Sequence, residues 1–551
     1  MNALATPVHP DAGMTAQRPE DLPTPDHLAR LGDWLDSHAK HWPDRAALEF
    51  ETLSLSYAEL RAQVDRCARA YLARGVRPGD CIAMLSPPRA EAFISFLAAA
   101  RIGALWLGLN PRYKLPELSY VVGDARPVLL VCIDSFEDRD YEPDLEALSG
   151  SIESLRETVI FRPAPGGGSD FGAWVDRHAD AVTSAALAEV AAQVPAKAPA
   201  LLVYTSGSSG KPKGVLLGHR SLIRRSRTQN ARFPTRDYPR VLDPLPVNHI
   251  GGMHFLGLFT FIGGGTLRLA ERFSAPEFVR ALQDRSINVM IVLPTMFKIM
   301  LDQPDFSPEL LGRLEWFVFS GAAMAPELIE LIRATGCPLG LTYGMTETCG
   351  SVTYSDPDAD VETLANTIGR PCPEGEVRVA GDDGVPTPAG TPGEIQVRAE
   401  FSMSGYLNRP DATREAYTED GWLRTGDTAI LREDGNIRFV GRRSEMFKSG
   451  GYNVYPREVE LALETHESVV LSAVVSVPDP LFDEVGWAYV VPAPGLALTE
   501  GEIAAWCRAQ LANYKVPKRF FICSELPLLP IGKVDKVLLR TQARDAAVRG
   551  V

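Results

Sequence analysis

Residues 201–219 read LLVYTSGSSGKPKGVLLGH. The apolar run from Leu201 to Tyr204 ends in Thr205-Ser206-Gly207-Ser208-Ser209-Gly210-Lys211-Pro212-Lys213-Gly214. Glycines and small hydroxylated residues let backbone N–H groups close on phosphate oxygens, and the hydroxyls add donors of their own. The loop is not of the Walker A type, which needs four residues between its glycines and a Ser or Thr after its lysine. Here two residues separate Gly207 from Gly210, and Pro212 follows Lys211. A Gly/Ser loop of this kind also serves as a plain surface turn, so its meaning depends on what surrounds it.

Outward from that loop, helical and strand patterns alternate. YAELRAQVDRCARAYLARG (57–75) carries apolar residues at three and four spacing and stops at Gly75. CIAML (81–85), PVLLVC (127–132), VMIVLP (289–294) and WFVFSG (316–321) are short apolar runs of the kind that fill a helix-covered, largely parallel sheet. After about residue 370 the texture changes. EVRVA, GEIQVRAE and GNIRFVGR predict short alternating strands of a β-rich lobe. From Ser444 onward the pattern is compact α+β: a helix at PREVELALETH, strands at VVLSAVVSV and WAYVVP, and a helix at TEGEIAAWCRAQL. The fold class expected is therefore α/β. Residues 1–24 are expected to be a disordered lead-in, 25–443 a large N-terminal domain with helix-covered sheets plus a β-rich lobe, and 444–551 a small mobile α+β domain.

Bulk properties limit the function. A chain of 551 residues exceeds one ordinary core. Its net charge of -14 repels a phosphate backbone, which argues against broad nucleic-acid binding but leaves small anions free to bind at aimed N–H groups. The eight cysteines are scattered without a C-x-x-C pair, as in a protein of reduced thiols. The N-terminus lacks the basic and apolar regions of a secretory signal, and no run of about 18 apolar residues suggests a bilayer span. A cytoplasmic location without integral membrane association is expected. Assembly as a homodimer is left open.

Four further segments carry chemistry. Leu341-Thr342-Tyr343-Gly344-Met345-Thr346-Glu347-Thr348 sets a ring for stacking, a hydroxyl for a phosphate and a carboxylate for a hard metal ion on one short stretch. Gly421-Trp422-Leu423-Arg424-Thr425-Gly426-Asp427 places a carboxylate suited to a ribose diol. Gly441-Arg442-Arg443 precedes Lys448-Ser449-Gly450-Gly451-Tyr452. Leu526-Pro527-Leu528-Leu529-Pro530-Ile531-Gly532-Lys533 ends on a single lysine. Each alone has an ordinary reading as a loop or turn.

In this order and spacing the five segments resemble the adenylate-forming superfamily of acyl-CoA synthetases, luciferases and peptide-synthetase adenylation domains, from about residue 50 to about 540. The resemblance implies ATP, Mg2+ and coenzyme A, with a small-molecule carboxylic acid as the other substrate. Thr205, Ser206, Gly207, Ser208, Ser209, Gly210 and Lys211 would grip the phosphates. Tyr343 would stack on adenine, opposite Gly321 and Ala322. Thr346 would contact the α-phosphate, Glu347 would bind magnesium, and Asp427 with Arg442 would hold the ribose. Lys533 would bridge the carboxylate and the α-phosphate. His249, otherwise a surface histidine, would stand between acyl pocket and nucleotide. Ser444 would be the hinge, and Lys448, Ser449, Gly450 and Gly451 would line the coenzyme A channel.

The implied chemistry is internally consistent. A carboxylate attacking a phosphate brings two anions together, so a lysine and a metal ion are the groups it requires, and no protein nucleophile is needed. Three positions depart from the family pattern: Ser444 for the usual Asp or Lys, Leu341 for a polar residue, and Asp483 for a glycine. The expected activity is an ATP-dependent acid–CoA ligase acting on a fatty or aromatic acid. Loading of a separate carrier protein is the alternative. Segments 249–257, 294–297, 319–323 and 347–350 are expected at the acyl pocket; the first holds no acidic residue to meet an α-amino group, which disfavours amino acids.

Overall fold

The strand that feeds the Gly/Ser loop, Pro199–Thr205, lies inside a seven-stranded sheet. The order is Gly405–Tyr406, Lys213–Gly218, Pro199–Thr205, Leu105–Leu109, Cys81–Leu85, Leu129–Ile133, Glu157–Phe161. From Pro199–Thr205 onward neighbours are parallel, while Lys213–Gly218 and Gly405–Tyr406 close that edge antiparallel. Cys81–Leu85, Leu105–Leu109 and Leu129–Ile133 are buried at every position, as strands covered on both faces must be. This computed structural model describes residues 28–205, 211–373, 375–493, 495–529 and 533–549. The lead-in expected over 1–24 and the loop residues Ser206, Gly207, Ser208, Ser209 and Gly210 lie outside the described residues.

The helix read at 57–75 spans Tyr57–Ala73. Ser56 caps it: its hydroxyl accepts from the Glu59 N–H at 3.3 Å, and the Glu59 carboxylate accepts from the Ser56 N–H at 2.8 Å. Leu60, Val64, Cys67 and Tyr71 form the buried stripe that docks it on the core.

A second sheet runs Val289–Val292, Trp316–Ser320, Leu339–Met345, Gly350–Tyr354, Arg370–Pro371. Its first three strands are parallel, and Gly350–Tyr354 returns antiparallel to Leu339–Met345. A third sheet joins Arg240–Asp243, Thr266–Leu269, Ala46–Phe50 and Leu53–Ser56. The β-rich lobe expected after residue 370 is a four-stranded antiparallel sheet of Glu376–Ala380, Pro392–Arg398, Leu423–Leu431 and Ile437–Arg442.

Past Ile437–Arg442 the chain makes a turn through Ser444 and enters a five-stranded sheet. Its strands are Tyr452–Val454, Phe447–Ser449, Asp483–Pro492, Val469–Asp479 and Arg519–Ile522. Helices Pro456–Glu464, Glu500–Gln510 and Lys536–Val548 accompany it, and the sheet has apolar clusters of its own. The protein is thus the expected α/β fold, a large N-terminal domain with a small α+β C-terminal domain. All eight cysteines are free. Among the described residues no helix is long and apolar enough to cross a membrane.

One element has no signal in the sequence. Gly251–Leu258 is a π-helix that runs into a short α-helix, Phe259–Ile262. The stretch GGMHFLGLF has no polar face, so its periodicity gives no helical signal, and tertiary burial sets its winding instead.

Candidate active site

The two large sheets meet at Glu347, which is 7% exposed on the turn after Leu339–Met345. One of its oxygens, Oε1, accepts from the Thr205 hydroxyl at 3.3 Å and from the Tyr406 hydroxyl at 3.0 Å. The carboxylate is therefore fixed where the Gly/Ser loop leaves its strand. Thr346, also buried, precedes it, and the Thr348 hydroxyl closes the turn by accepting from Met345 N–H at 3.0 Å. Gly344 is required here: a β-carbon on it would overlap the carbonyl oxygen of Gly350 on the returning strand. The described flank of the loop is cationic. The Lys211 ammonium lies 5.9 Å from the Tyr120 ring centre, and that of Lys213 lies 5.0 Å from the Tyr406 ring.

Asp427 and Arg442 are opposite one another on neighbouring antiparallel strands, with Nε 3.5 Å from Oδ1. The other oxygen of Asp427 accepts from the Tyr343 hydroxyl at 2.6 Å. Burial pushes the Asp427 carboxyl above the ordinary range, and Arg442 and Tyr343 pull against that. Burial works against the charge of Arg442 as well, but Asp427 and Glu445 more than offset it. A carboxylate so placed, with a ring held beside it, offers an acceptor to a vicinal diol and an aromatic face to a base.

Lys533 reaches this group from the small domain. Its Cε and Nζ lie 3.3 and 3.6 Å from the point where a β-carbon on Gly321 would stand. Gly321 has φ +80°, a conformation that favours glycine, and a β-carbon there would press on Leu293 at 3.0 Å and touch the Lys533 side chain. Ala322 follows it, exposed. Desolvation lowers the Lys533 pKa and Arg442 lowers it further, while Asp427 and Glu445 act the other way. His249 belongs to the same neighbourhood: desolvation, then the charge of Lys533, push it down to about 4. The ring is neutral, its Nδ1 accepting from Gly251 N–H at 3.0 Å.

One contact crosses between the domains, and a second ties the small domain together beside the turn that enters it. Lys298 of the large domain donates to the Val470 carbonyl at 2.8 Å. Lys536 bridges Glu445 at 2.8 Å and the buried Glu460 at 2.7 Å, beside the Ser444 turn. Lys448, Ser449, Gly450 and Gly451 are not assembled with Lys533 and Glu347. They form a hairpin tip whose Gly450 N–H donates to Phe482 O at 2.8 Å and whose Ser449 faces Asp483. Asp483 has φ +70°, which gives a physical reason for the glycine usual at that place.

The structure adds residues that sequence reading missed. Tyr406, which holds Glu347, comes from a two-residue strand 59 positions further along the chain, and nothing in its local sequence marks it. Glu445 follows Ser444 in the turn that enters the small domain, and its charge acts on both Lys533 and Arg442. Among the described residues no group of three or more His, Cys, Asp or Glu could hold a metal ion. Magnesium does not ask for one, since it binds through one or two carboxylates together with substrate phosphates and water. Glu347 beside the Gly/Ser loop fits that donor set.

Comparison with known proteins agrees with this geometry. Residues 35–407 match the AMP-binding enzyme family, and residues 458–533 match the AMP-binding enzyme C-terminal domain. An indoleacetate–CoA ligase of Aromatoleum aromaticum is 33% identical over 507 residues, covering 92% of this chain and 96% of that protein. The anthranilate CoA ligase AuaEII, solved with anthranoyl-AMP, superposes with a TM-score of 0.83 at 25% identity, over 96% of this chain and all of that one. The o-succinylbenzoate coenzyme A synthetase MenE from Bacillus subtilis, solved with ATP and a magnesium ion, gives a TM-score of 0.76 at 28% identity over 92% and 99% of the two chains. With family matches on both domains and full-length relatives above 30% identity, this chain belongs to the AMP-binding enzyme family of adenylate-forming ligases.

Proposed function

We propose that the protein joins an aromatic carboxylic acid to coenzyme A in two steps that share one acyl-adenylate. In the first, a carboxylate oxygen of the acid attacks the α-phosphorus of ATP, the α–β anhydride bond breaks, and pyrophosphate leaves. In the second, the thiol sulfur of coenzyme A attacks the acyl carbon, the thiol proton is lost to solvent, and AMP departs. The observation that carries this reading is the position of Lys533 against Gly321, within electrostatic reach of Asp427 and Arg442.

Each residue has one task. Thr205, Lys211 and the loop between them hold the phosphates. Tyr343 stacks on adenine against Gly321 and Ala322, while Asp427, whose charged form Arg442 and the Tyr343 hydroxyl favour, accepts from the ribose. Thr346 donates to the α-phosphate. Lys533 offsets the charge of two anions brought together, in surroundings with little water to screen it. His249, being neutral, separates the acid from the nucleotide without attracting the carboxylate away from Lys533. Glu347 would hold a magnesium ion, which when bound would supply positive charge toward the phosphates.

The second step needs a different arrangement. A turn of the small domain about Ser444 withdraws Lys533 and brings Lys448, Ser449, Gly450 and Gly451 to the acyl carbon. Aromatic acids are favoured because the relatives named above act on indoleacetate, anthranilate and o-succinylbenzoate. A pyrophosphate-release screen over aromatic and straight-chain acids, with and without coenzyme A, tests the reading. Release should be strongest with aromatic acids, and thioester should form only with coenzyme A. Release confined to fatty acids would contradict the substrate class, and no release with any acid would contradict the activity.

A further inference from the structure

The helix Leu115–Ala125 stands beside the hairpin that carries the Gly/Ser loop, and two of its side chains reach both arms of that hairpin. Tyr120 and Asp124 lie one turn apart on the same face of this helix. The Tyr120 hydroxyl donates to the Pro212 carbonyl at 2.8 Å, just after Lys211. Asp124 Oδ2 accepts from the Tyr204 hydroxyl at 2.8 Å, just before Thr205. The two arms are also paired directly, with Tyr204 opposite Gly214 and Thr205 opposite Lys213. Gly214 leaves room for the Tyr204 ring: a β-carbon there would stand 3.1 Å from its Cζ and 2.9 Å from Leu202 Cδ1.

These contacts govern groups that the phosphates need. Pro212 has a fixed φ and no N–H, and the residue before a proline is biased to extended conformations. Holding the Pro212 carbonyl therefore sets the direction in which Lys211 leaves the chain. Holding Tyr204 does the same for Thr205, the next residue, whose hydroxyl donates to Glu347 Oε1 at 3.3 Å. Asp124 is itself held: its side chain is 11% exposed, and Oδ1 accepts from Arg409 Nη2 at 2.8 Å. Arg409 follows closely on Tyr406, the residue that holds Glu347, and between them the Leu407 N–H donates to the Gly214 carbonyl at 2.8 Å. The helix, the hairpin and the holder of Glu347 are thus tied into one frame.

We propose that Tyr120 and Asp124 are positioning residues for ATP: they hold Thr205 and Lys211, at the two ends of the phosphate-gripping loop, at the spacing that the β- and γ-phosphates require. This rests on the ligase reading and on the loop's part in it. Each acts through the residue it holds rather than on the nucleotide itself. The effect is specific to the phosphates that leave as pyrophosphate. AMP keeps Tyr343, Asp427 and Thr346 as its partners, so its binding does not depend on the helix.

The test is isothermal titration of ATP with magnesium, and of AMP, into Tyr120→Phe, Asp124→Ala and Asp124→Asn. Tyr120→Phe removes one hydroxyl and should weaken ATP binding about three- to tenfold, the worth of one net hydrogen bond. Asp124→Ala leaves the Tyr204 hydroxyl without its acceptor and should weaken it by on the order of 10- to 100-fold. Asp124→Asn, whose amide oxygen still accepts, should recover most of that loss. AMP affinity, and thioester formation from supplied acyl-adenylate, should stay unchanged in all three. Equal weakening of ATP and AMP would overturn the positioning role, since a general loss of fold moves both. Lys211→Ala separates this assignment from the reading beneath it. ATP weakened against AMP in Lys211→Ala but not in Tyr120→Phe would overturn the helix role alone. An unchanged ratio in Lys211→Ala would overturn the loop's phosphate role and this assignment together.

Discussion

The ammonium of Lys533, in the small domain, stands 3.6 Å from the point where a β-carbon on Gly321 of the large domain would lie. The two residues are 212 positions apart in the chain, so the contact depends on how the two domains are set against one another rather than on local folding. On the proposed mechanism, the cation that serves adenylate formation is present only while the small domain holds this orientation. What stabilises the orientation should therefore act on one half-reaction and not on the other.

Lys298 is the nearest case. Its ammonium crosses between the domains to the Val470 carbonyl, and desolvation lowers its pKa. Lys298→Met should slow adenylate formation about three- to tenfold, the worth of one net hydrogen bond. Thioester formation from supplied acyl-adenylate should not be slowed. Single-turnover rates of the two half-reactions provide the check; equal slowing of both would mean that the contact does not favour one orientation.

Glu347 bears on the metal. Its Oε1 is held by Thr205 and Tyr406, which leaves the other oxygen for a cation. An amide oxygen is a poorer magnesium ligand than a carboxylate, so Glu347→Gln should raise the magnesium concentration for half-maximal rate by on the order of tenfold or more. Titrating magnesium against initial rate measures this. An unchanged requirement would remove Glu347 from the metal site.

His38 gives a pH-dependent prediction away from the site. It is 1% exposed among Trp34, Trp42, Tyr57 and Phe261, and burial pushes it down to about 3 from 6.5. The unfolded chain takes up a proton near 6.5 while the folded one does not. The stability tied to the neutral ring is therefore present above pH 6.5 and is lost as pH falls toward 3. His38→Phe removes that loss. Between pH 7 and pH 5 the unfolding free energy of the variant should gain about 2 kcal/mol on the unaltered protein. Urea denaturation at the two pH values reads it, and a constant difference would show that His38 is not buried neutral.

Much of this architecture is legible in the sequence because its signals are local. The run Cys81–Leu85 is a buried parallel strand and reads as one, and Ser56 with Glu59 announces the helix that begins at Tyr57. Glu347, Asp427 and Lys533 are legible for a different reason: each lies in a short segment whose glycines and hydroxyls leave a recognisable pattern, although Asp427 stands in the strand Leu423–Leu431 and not in the tight turn its sequence suggests. What cannot be read is made by distant partners. Tyr406 meets Glu347 only because a two-residue strand adds to the sheet edge beside Lys213–Gly218. The π-winding of Gly251–Leu258 follows from packing, since GGMHFLGLF has no polar face of its own. Arg225 looks like one more surface arginine in HRSLIRRSR, yet it is 1% exposed and lies 3.5 Å over the Phe401 ring.

The most direct test of the account is to measure both half-reactions in Lys533→Ala. Adenylate formation, followed by pyrophosphate release in a single turnover, should fall by on the order of 10²–10³-fold, the usual loss when one preorganised charge donor is removed from a transition state. Thioester formation from supplied acyl-adenylate and coenzyme A should stay close to the unaltered rate, because Lys533 serves only the first step. Equal loss in both half-reactions, with the fold intact by circular dichroism, would contradict the role given to Lys533 and the two-orientation mechanism built on it.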